Sequence, residues 1–141
     1  MSTEQNKSMF RQMVDEVFNQ GNFSVVDEMM ADDFVEHEEL PPGIPKGREG
    51  LKVLMAQFRE AFPDFKAVVE DLVAEGDRVV SRMVWAGTQK GEFMGIPPAG
   101  KSFSIEVIDI VRIEGGKIVE HWGIMDNMAM MQQLGAFPEQ P

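Results

Sequence analysis

Between Ser2 and Phe18 the apolar residues Met9, Phe10, Met13, Val14, Val17 and Phe18 recur at spacings of three and four, the period of one helical face. Ser2 followed three residues on by Gln5 has the form of a capping box at the start of that helix. Gly21 supplies a left-handed C-terminal residue, and Asn22 can cap a second, shorter helix carrying Val25, Val26, Met29 and Met30. Asp32 and Asp33 would oppose the dipole at its C-terminal end, which predicts a stop there. Residues 34–38 read as a short strand, and Pro41, Pro42, Gly43, Pro45 and Gly47 mark the segment after it as a loop without regular structure. A third helical stripe, Leu51, Leu54, Met55, Phe58, Ala61 and Phe62, is ended by Pro63.

From residue 65 the period changes to two. Extended segments are predicted at 65–74, 78–88, 102–113 and 117–125, followed by a helix over about 126–134 that ends at Gly135 and a loose tail from 137 to 141. Glu75-Gly76-Asp77 and Glu114-Gly115-Gly116 are short enough for hairpins, so the strands they join are antiparallel neighbours. The connection 89–101, with Gly91, Gly95, Pro97, Pro98 and Gly100, is long enough to act as a flap. The fold class expected is α+β: three N-terminal helices packed on one face of a strongly curved, mainly antiparallel sheet, a cone with an interior.

Length and composition narrow this further. The 141 residues suit one domain spanning 1–141, and 43% hydrophobic against 26% charged residues is enough for an ordinary core. Twenty-four acidic against 13 basic residues, a net charge of −11, disfavours nucleic acid as a partner and steers polyanions away. The absence of Cys excludes disulfides and thiolate chemistry, and with two His and no HExxH spacing no metal is expected, although carboxylates could hold a hard cation. Without an apolar run of membrane-spanning length, a cytoplasmic protein with no membrane partner is the expectation.

The residues able to carry chemistry are few, and each has a structural alternative. Asp109 shares a strand face with Ile105, Val107, Val111 and Ile113, and a carboxylate on an apolar face must be paired, protonated or useful. It could equally pair with a cation on a neighbouring strand. In the last strand Glu120, Trp122, Ile124 and Asp126 fall on one face, and desolvation beside an indole raises a carboxyl pKa toward the neutral range a general acid or base needs. Asp126 is also placed to N-cap the last helix. His37 lies between Glu36 and Glu38, which favour its charged form, yet a strand-end histidine is readily solvated. Arg82 could bind an anionic substrate group or sit exposed on the sheet. Trp85 and Phe93 are candidates for contact with a ligand or for the core, and the 12 Met residues for core filling or a plastic pocket wall.

The ordered set Pro45-Lys46-Gly47-Arg48-Glu49-Gly50, Phe62-Pro63-Asp64, Gly87-Thr88, Gly91-Glu92-Phe93-Met94-Gly95-Ile96-Pro97-Pro98-Ala99-Gly100-Lys101 and Gly116-Lys117-Ile118-Val119-Glu120-His121-Trp122, leading to Asp126 and Gln133-Leu134-Gly135, resembles the SnoaL-like polyketide and ester cyclases over nearly the whole chain. The resemblance implies a cone-shaped α+β barrel of the nuclear-transport-factor-2-like superfamily, often a homodimer joined through the outer sheet faces. It also implies no metal or organic cofactor, with Asp126 as acid or base. The reaction implied is an intramolecular aldol closure, for which Arg82, His37 or a protonated Asp109 could stabilise the oxyanion on chemical grounds. The steroid-isomerase relatives of this cone use a Tyr, which is absent here. The epoxide-hydrolase type has an Arg-x-Asp pair, whereas Arg82 is followed two residues on by Val84 and Asp109 is preceded two residues before by Val107. Two readings stand: a cyclase-like enzyme with Asp126, His37 and Asp109 at its centre and Arg82, Trp85, Phe93, Glu120 and Trp122 around the substrate, or a noncatalytic module. Either would hold a small hydrophobic, oxygenated molecule. Apolar residues on both strand faces, Val107 and Val111 against Ile108 and Ile110, agree with a homodimer.

Overall fold

The structure is a computed structural model and describes residues 1–136; the tail expected at 137–141 lies outside the described residues. Helix α1 (Thr3–Met13) begins with the expected capping box, in which the Gln5 N–H donates to Ser2 Oγ at 3.1 Å and the Ser2 N–H donates to Gln5 Oε1 at 2.8 Å. It runs on into a π-helical stretch, Val14–Asn19. The wider turn inserts a residue, so Phe18, five positions after Met13, reaches the same interior cavity as Met13 and Phe10. Arg59 closes that stretch by donating to the carbonyls of Phe18 (3.0 Å) and Asn19 (2.8 Å).

Helix α2 (Ser24–Met29) passes directly into strand β1 (Met30–Glu36). The expected boundary is therefore corrected: Asp32 and Asp33 are exposed strand residues, not the end of a helix. Helix α3 (Arg48–Ala61) turns its stripe of Leu54, Met55, Phe58 and Ala61 inward. Strands β2 (Lys66–Glu75), β3 (Arg78–Thr88), β4 (Ser102–Glu114) and β5 (Lys117–Met125) lie within a residue of their expected bounds, and the short helix α4 (Asn127–Gln133) follows.

The sheet order is β1-β5-β4-β3-β2, antiparallel except for the parallel β1–β5 edge. The β4–β5 hairpin turns on Gly115 (φ +59°) and Gly116 (φ +75°), the two left-handed positions a two-residue turn between right-twisting strands demands. Alternation on β4 is regular: Phe103, Ile105, Val107, Asp109, Val111 and Ile113 are buried against the helices. On β5 it is broken. Ile113 pairs with Ile118 but Arg112 pairs with Glu120, so Val119 is a bulge, and Ile118 and His121 both line the interior.

The 89–101 connection folds back on the helices. Gln89, fully buried, donates through Nε2 to the carbonyls of Gly91 (3.0 Å) and Ile96 (2.8 Å), and Phe93 packs on Phe58 and Phe62 with ring centres 4.7 and 5.2 Å apart. Met94 follows in a left-handed conformation, φ +50°, with its side chain half exposed. Among the described residues no helix is long and apolar enough to cross a membrane.

Candidate active site

Helices α1 and α3 close over the sheet to leave an interior cavity of about 70 Å³, walled by apolar side chains such as Phe10, Leu51, Trp85 and Val107. Among the described residues its ionisable lining is Glu36, Glu38, Asp109 and His121, which come from three adjacent strands and the segment just after β1. His121 is the centre: Nδ1–H donates to Glu36 Oε1 at 2.6 Å and Nε2–H donates to Asp109 Oδ1 at 2.5 Å. Burial works against a charge on that ring, but the hydrogen bonds to Asp109 and Glu36 outweigh it and push the imidazole pKa up to about 10. His121 is thus an imidazolium at neutral pH, held between two carboxylates.

The pair has room because residue 123 is glycine. Asp109 stands opposite Gly123 in the ladder, and a Cβ there would lie 2.5 Å from Asp109 Oδ1 and 2.7 Å from His121 Cε1. Glu38 completes the group with no hydrogen bond to its carboxyl among the described residues. Burial raises its pKa to about 7, helped by the negative charges of Asp109 and Glu36 and partly opposed by His121. Donor atoms of Glu36, Glu38 and His121 lie within 4.8 Å of one another. A charged imidazole with both nitrogens directed at carboxylates has no lone pair for a metal, so the set does not suit a cation.

Beyond the cavity lies a surface cleft of about 440 Å³, lined by Pro41, Pro42, Phe93, Met94, Met130 and Met131 among others. Glu38, Leu40, Leu54 and Met125 border both spaces. They form a collar between them.

Several residues singled out from the sequence lie elsewhere. Asp126, expected to face the cavity, is exposed and N-caps α4, accepting from the Ala129 N–H at 3.1 Å. Glu120 and Trp122, expected inward with it, are on the outer sheet face because the Val119 bulge reverses the parity of β5. His37 is there too, exposed, 2.8 Å from Glu120 through Nε2 and stacked on Trp122 at 4.7 Å. Arg82 also points outward, donating to Asp71 at 2.8 Å and Glu106 at 3.0 Å. Asp109 and Trp85 do line the cavity, whereas Phe93 is a core residue whose edge reaches the outer cleft. His121, Glu36, Glu38 and Gly123 were not singled out. The alternation Phe34, Glu36, Glu38 on one parity, with His37 on the other, was the signal for two of them.

A family model described as SnoaL-like polyketide cyclase matches residues 8–134. The chain belongs to the SnoaL-like polyketide cyclase family. It is 31% identical over 119 residues to nogalonic acid methyl ester cyclase of Streptomyces nogalater, covering 84% of this chain and 89% of that protein. TsrD from Streptomyces laurentii superposes with a TM-score of 0.87 at 29% identity, covering 97% of this chain and 99% of that one. IdmH from Streptomyces antibioticus, at 38% identity and a TM-score of 0.80, covers 93% and 99%. These matches bear out the expected α+β cone.

Proposed function

We propose that this chain is an acid–base cyclase that closes a ring in a largely apolar, oxygenated substrate by an intramolecular aldol reaction, with Glu38 moving the proton. The observation that carries this reading is a carboxyl held near pKa 7 at the collar of a largely apolar cavity. In its ionised form Glu38 takes a proton from a carbon α to a carbonyl, and the electron pair moves onto that carbonyl oxygen. The enolate carbon attacks a second carbonyl, forming the new C–C bond, and the resulting alkoxide is protonated by the carboxylic acid just made. Glu38 returns to its ionised form, so no cofactor or net proton is consumed. The Asp109–His121–Glu36 unit holds a fixed charge beside it.

The two spaces set the substrate's pose. At about 70 Å³ the cavity is far smaller than the outer cleft of about 440 Å³. The bulk of such a substrate therefore rests in the outer cleft, with its reacting end at Glu38. The name of the Streptomyces nogalater relative, a methyl ester cyclase, fits a neutral ester as substrate. The test is incubation with an aromatic methyl ester that also carries a ketone placed for ring closure, in D2O beside a protein-free control, read by mass spectrometry and chromatography. An isomeric product and deuterium at the α carbon are expected; binding with neither outcome would make the chain a noncatalytic module.

We propose also that two copies pair through the outer sheet face. Val73, Val80, Ile110 and Trp122 stand next to one another across four strands, with Ile108 and the highly exposed Ile124 beside them. Arg82 and Arg112 alternate there with Asp71, Glu106 and Glu120, so the face carries both signs and is complementary to itself. Sedimentation at micromolar concentration should give twice 15.8 kDa, and Ile124→Lys should return the 15.8 kDa species. A parent that sediments only as the smaller species removes the dimer.

A further inference from the structure

Residues 93–96 form a two-residue hairpin, in which the Ile96 N–H donates to the Phe93 carbonyl at 2.9 Å and the Phe93 N–H donates to the Ile96 carbonyl at 3.2 Å. Its central residues, Met94 (φ +50°) and Gly95 (φ +79°), are both left-handed, the pattern for which Asn-Gly is a favoured sequence. Among the described residues Met94 is the one non-glycine residue with positive φ. A methionine held in that region costs stability and persists only where its surroundings fix it. Here they do. The buried Gln89 amide holds the carbonyls of Gly91 and Ile96, and the N–H groups of Lys90 and Gly91 donate to the Ala61 carbonyl at the end of α3, at 2.8 and 3.2 Å. In return the core receives little, because the Met94 side chain is 52% exposed.

What Met94 does reach is open space. It lines the outer cleft of about 440 Å³ that Glu38 borders, and a second surface cleft of about 480 Å³ shares Pro41, Pro42, Phe93 and Met94 with it. Phe93 is buried and the prolines are stiff, which leaves Met94 as the member of this border that can adapt to a ligand. A thioether on an unbranched chain also packs favourably against aromatic rings. We propose that Met94 is a specificity-determining residue, the contact with which the outer cleft grips the ring system of an aromatic substrate whose reacting end lies at Glu38. The assignment rests on the cyclase reading for its ligand class. A turn built for stability alone would carry Asn at this position and lose that contact.

The test follows the methionine methyl groups by ¹³C-correlated NMR, the Met94 signal being the one of 12 that Met94→Leu removes. Titration with methyl 2-naphthoate is expected to move that signal together with those of Met125 and Met131, which line the same cleft. The fully saturated ester of the same skeleton has no ring current and should move Met94 far less. Met94→Asn should weaken the naphthoate about fivefold, the worth of about 40 Å² of apolar contact, while its urea midpoint rises above the parent's because the turn is relaxed. Met94→Leu keeps the apolar bulk and should bind within about twofold of the parent. The proposal is overturned if Met125 and Met131 report the naphthoate while Met94 stays still or moves equally with the saturated ester. It is overturned equally if the naphthoate does not bind, if Met94→Asn binds it as tightly as the parent, or if the midpoint of Met94→Asn falls, which would make Met94 a residue of the fold. No turnover is read, so a chain that grips the aromatic ester but never closes a ring would lose the proposed function and keep this contact.

Discussion

Glu38→Gln should lower turnover by about 10²–10⁴-fold, the usual contribution of a positioned general base, while the folded protein and ketone binding persist. The amide keeps the shape and removes the proton acceptor. In the parent, kcat/KM is expected to rise with pH to a plateau above about 7, because the reactive form is the carboxylate and its pKa is raised to about 7. Two pH units below that value the rate should fall to about one hundredth of the plateau. The residual rate of Glu38→Gln should lose this dependence. Asp126→Asn is the informative comparison. Asn retains a side-chain oxygen to accept from the Ala129 N–H, so the cap survives and turnover stays within about twofold of the parent. A large loss in Asp126→Asn together with an unchanged rate in Glu38→Gln would return the proton transfer to the residue that the family resemblance suggested.

Those two carboxylates show what the sequence could and could not tell. The helices, the hairpins and the inward face of β4 follow from periods and turn glycines, which act locally, and Asp109 was legible by simple alternation. The last strand was not. Carried straight down the hairpin from Glu114–Lys117 and Ile113–Ile118, the register would set Asp109 opposite Trp122 and turn Glu120, Trp122 and Asp126 into the cavity. The one-residue bulge at Val119 moves Gly123 opposite Asp109 instead, and every side chain beyond it changes face. His121 then replaces Trp122 inside. A bulge has no strong local signature, being fixed by what the strand must pair with on both sides; here β5 also pairs with β1, whose ladder is irregular between Met30 and Val35. Glu36 and Glu38 had the simpler signal of sharing parity with Phe34, but two acids beside a histidine read as a solvated strand end until the partner strand is in place.

Stability should fall as pH rises from about 4.5 to 10, in two windows that separate by mutation. For Glu38 the folded pKa, about 7, exceeds the ordinary 4.5, so between those values the unfolded chain has released a proton that the folded one retains, and folding weakens as pH climbs. For His121 the folded pKa of about 10 exceeds the ordinary 6.5, so its stabilisation is complete below about 6.5 and is lost as pH rises through about 10. Urea midpoints at pH 5, 7 and 9 should therefore decline in the parent. Glu38→Gln should flatten the first interval and His121→Gln the second. Asp109→Asn, which leaves the imidazolium buried with one anion, should cost about 3–5 kcal/mol near neutrality. Each of these variants removes a titrating group, so none of them isolates geometry. Gly123→Ala does: it changes no charge, but its methyl group would stand 2.5 Å from Asp109 Oδ1 and 2.7 Å from His121 Cε1, so the pair must part. A loss of about 1–3 kcal/mol is expected from overpacking alone. The distinguishing result is a shallower decline between pH 7 and 9, because an imidazolium farther from its carboxylate gains less from its charge. A Gly123→Ala protein with the parent's midpoint and the parent's pH dependence would mean that the close approach of this backbone to the Asp109–His121 pair does not govern the site.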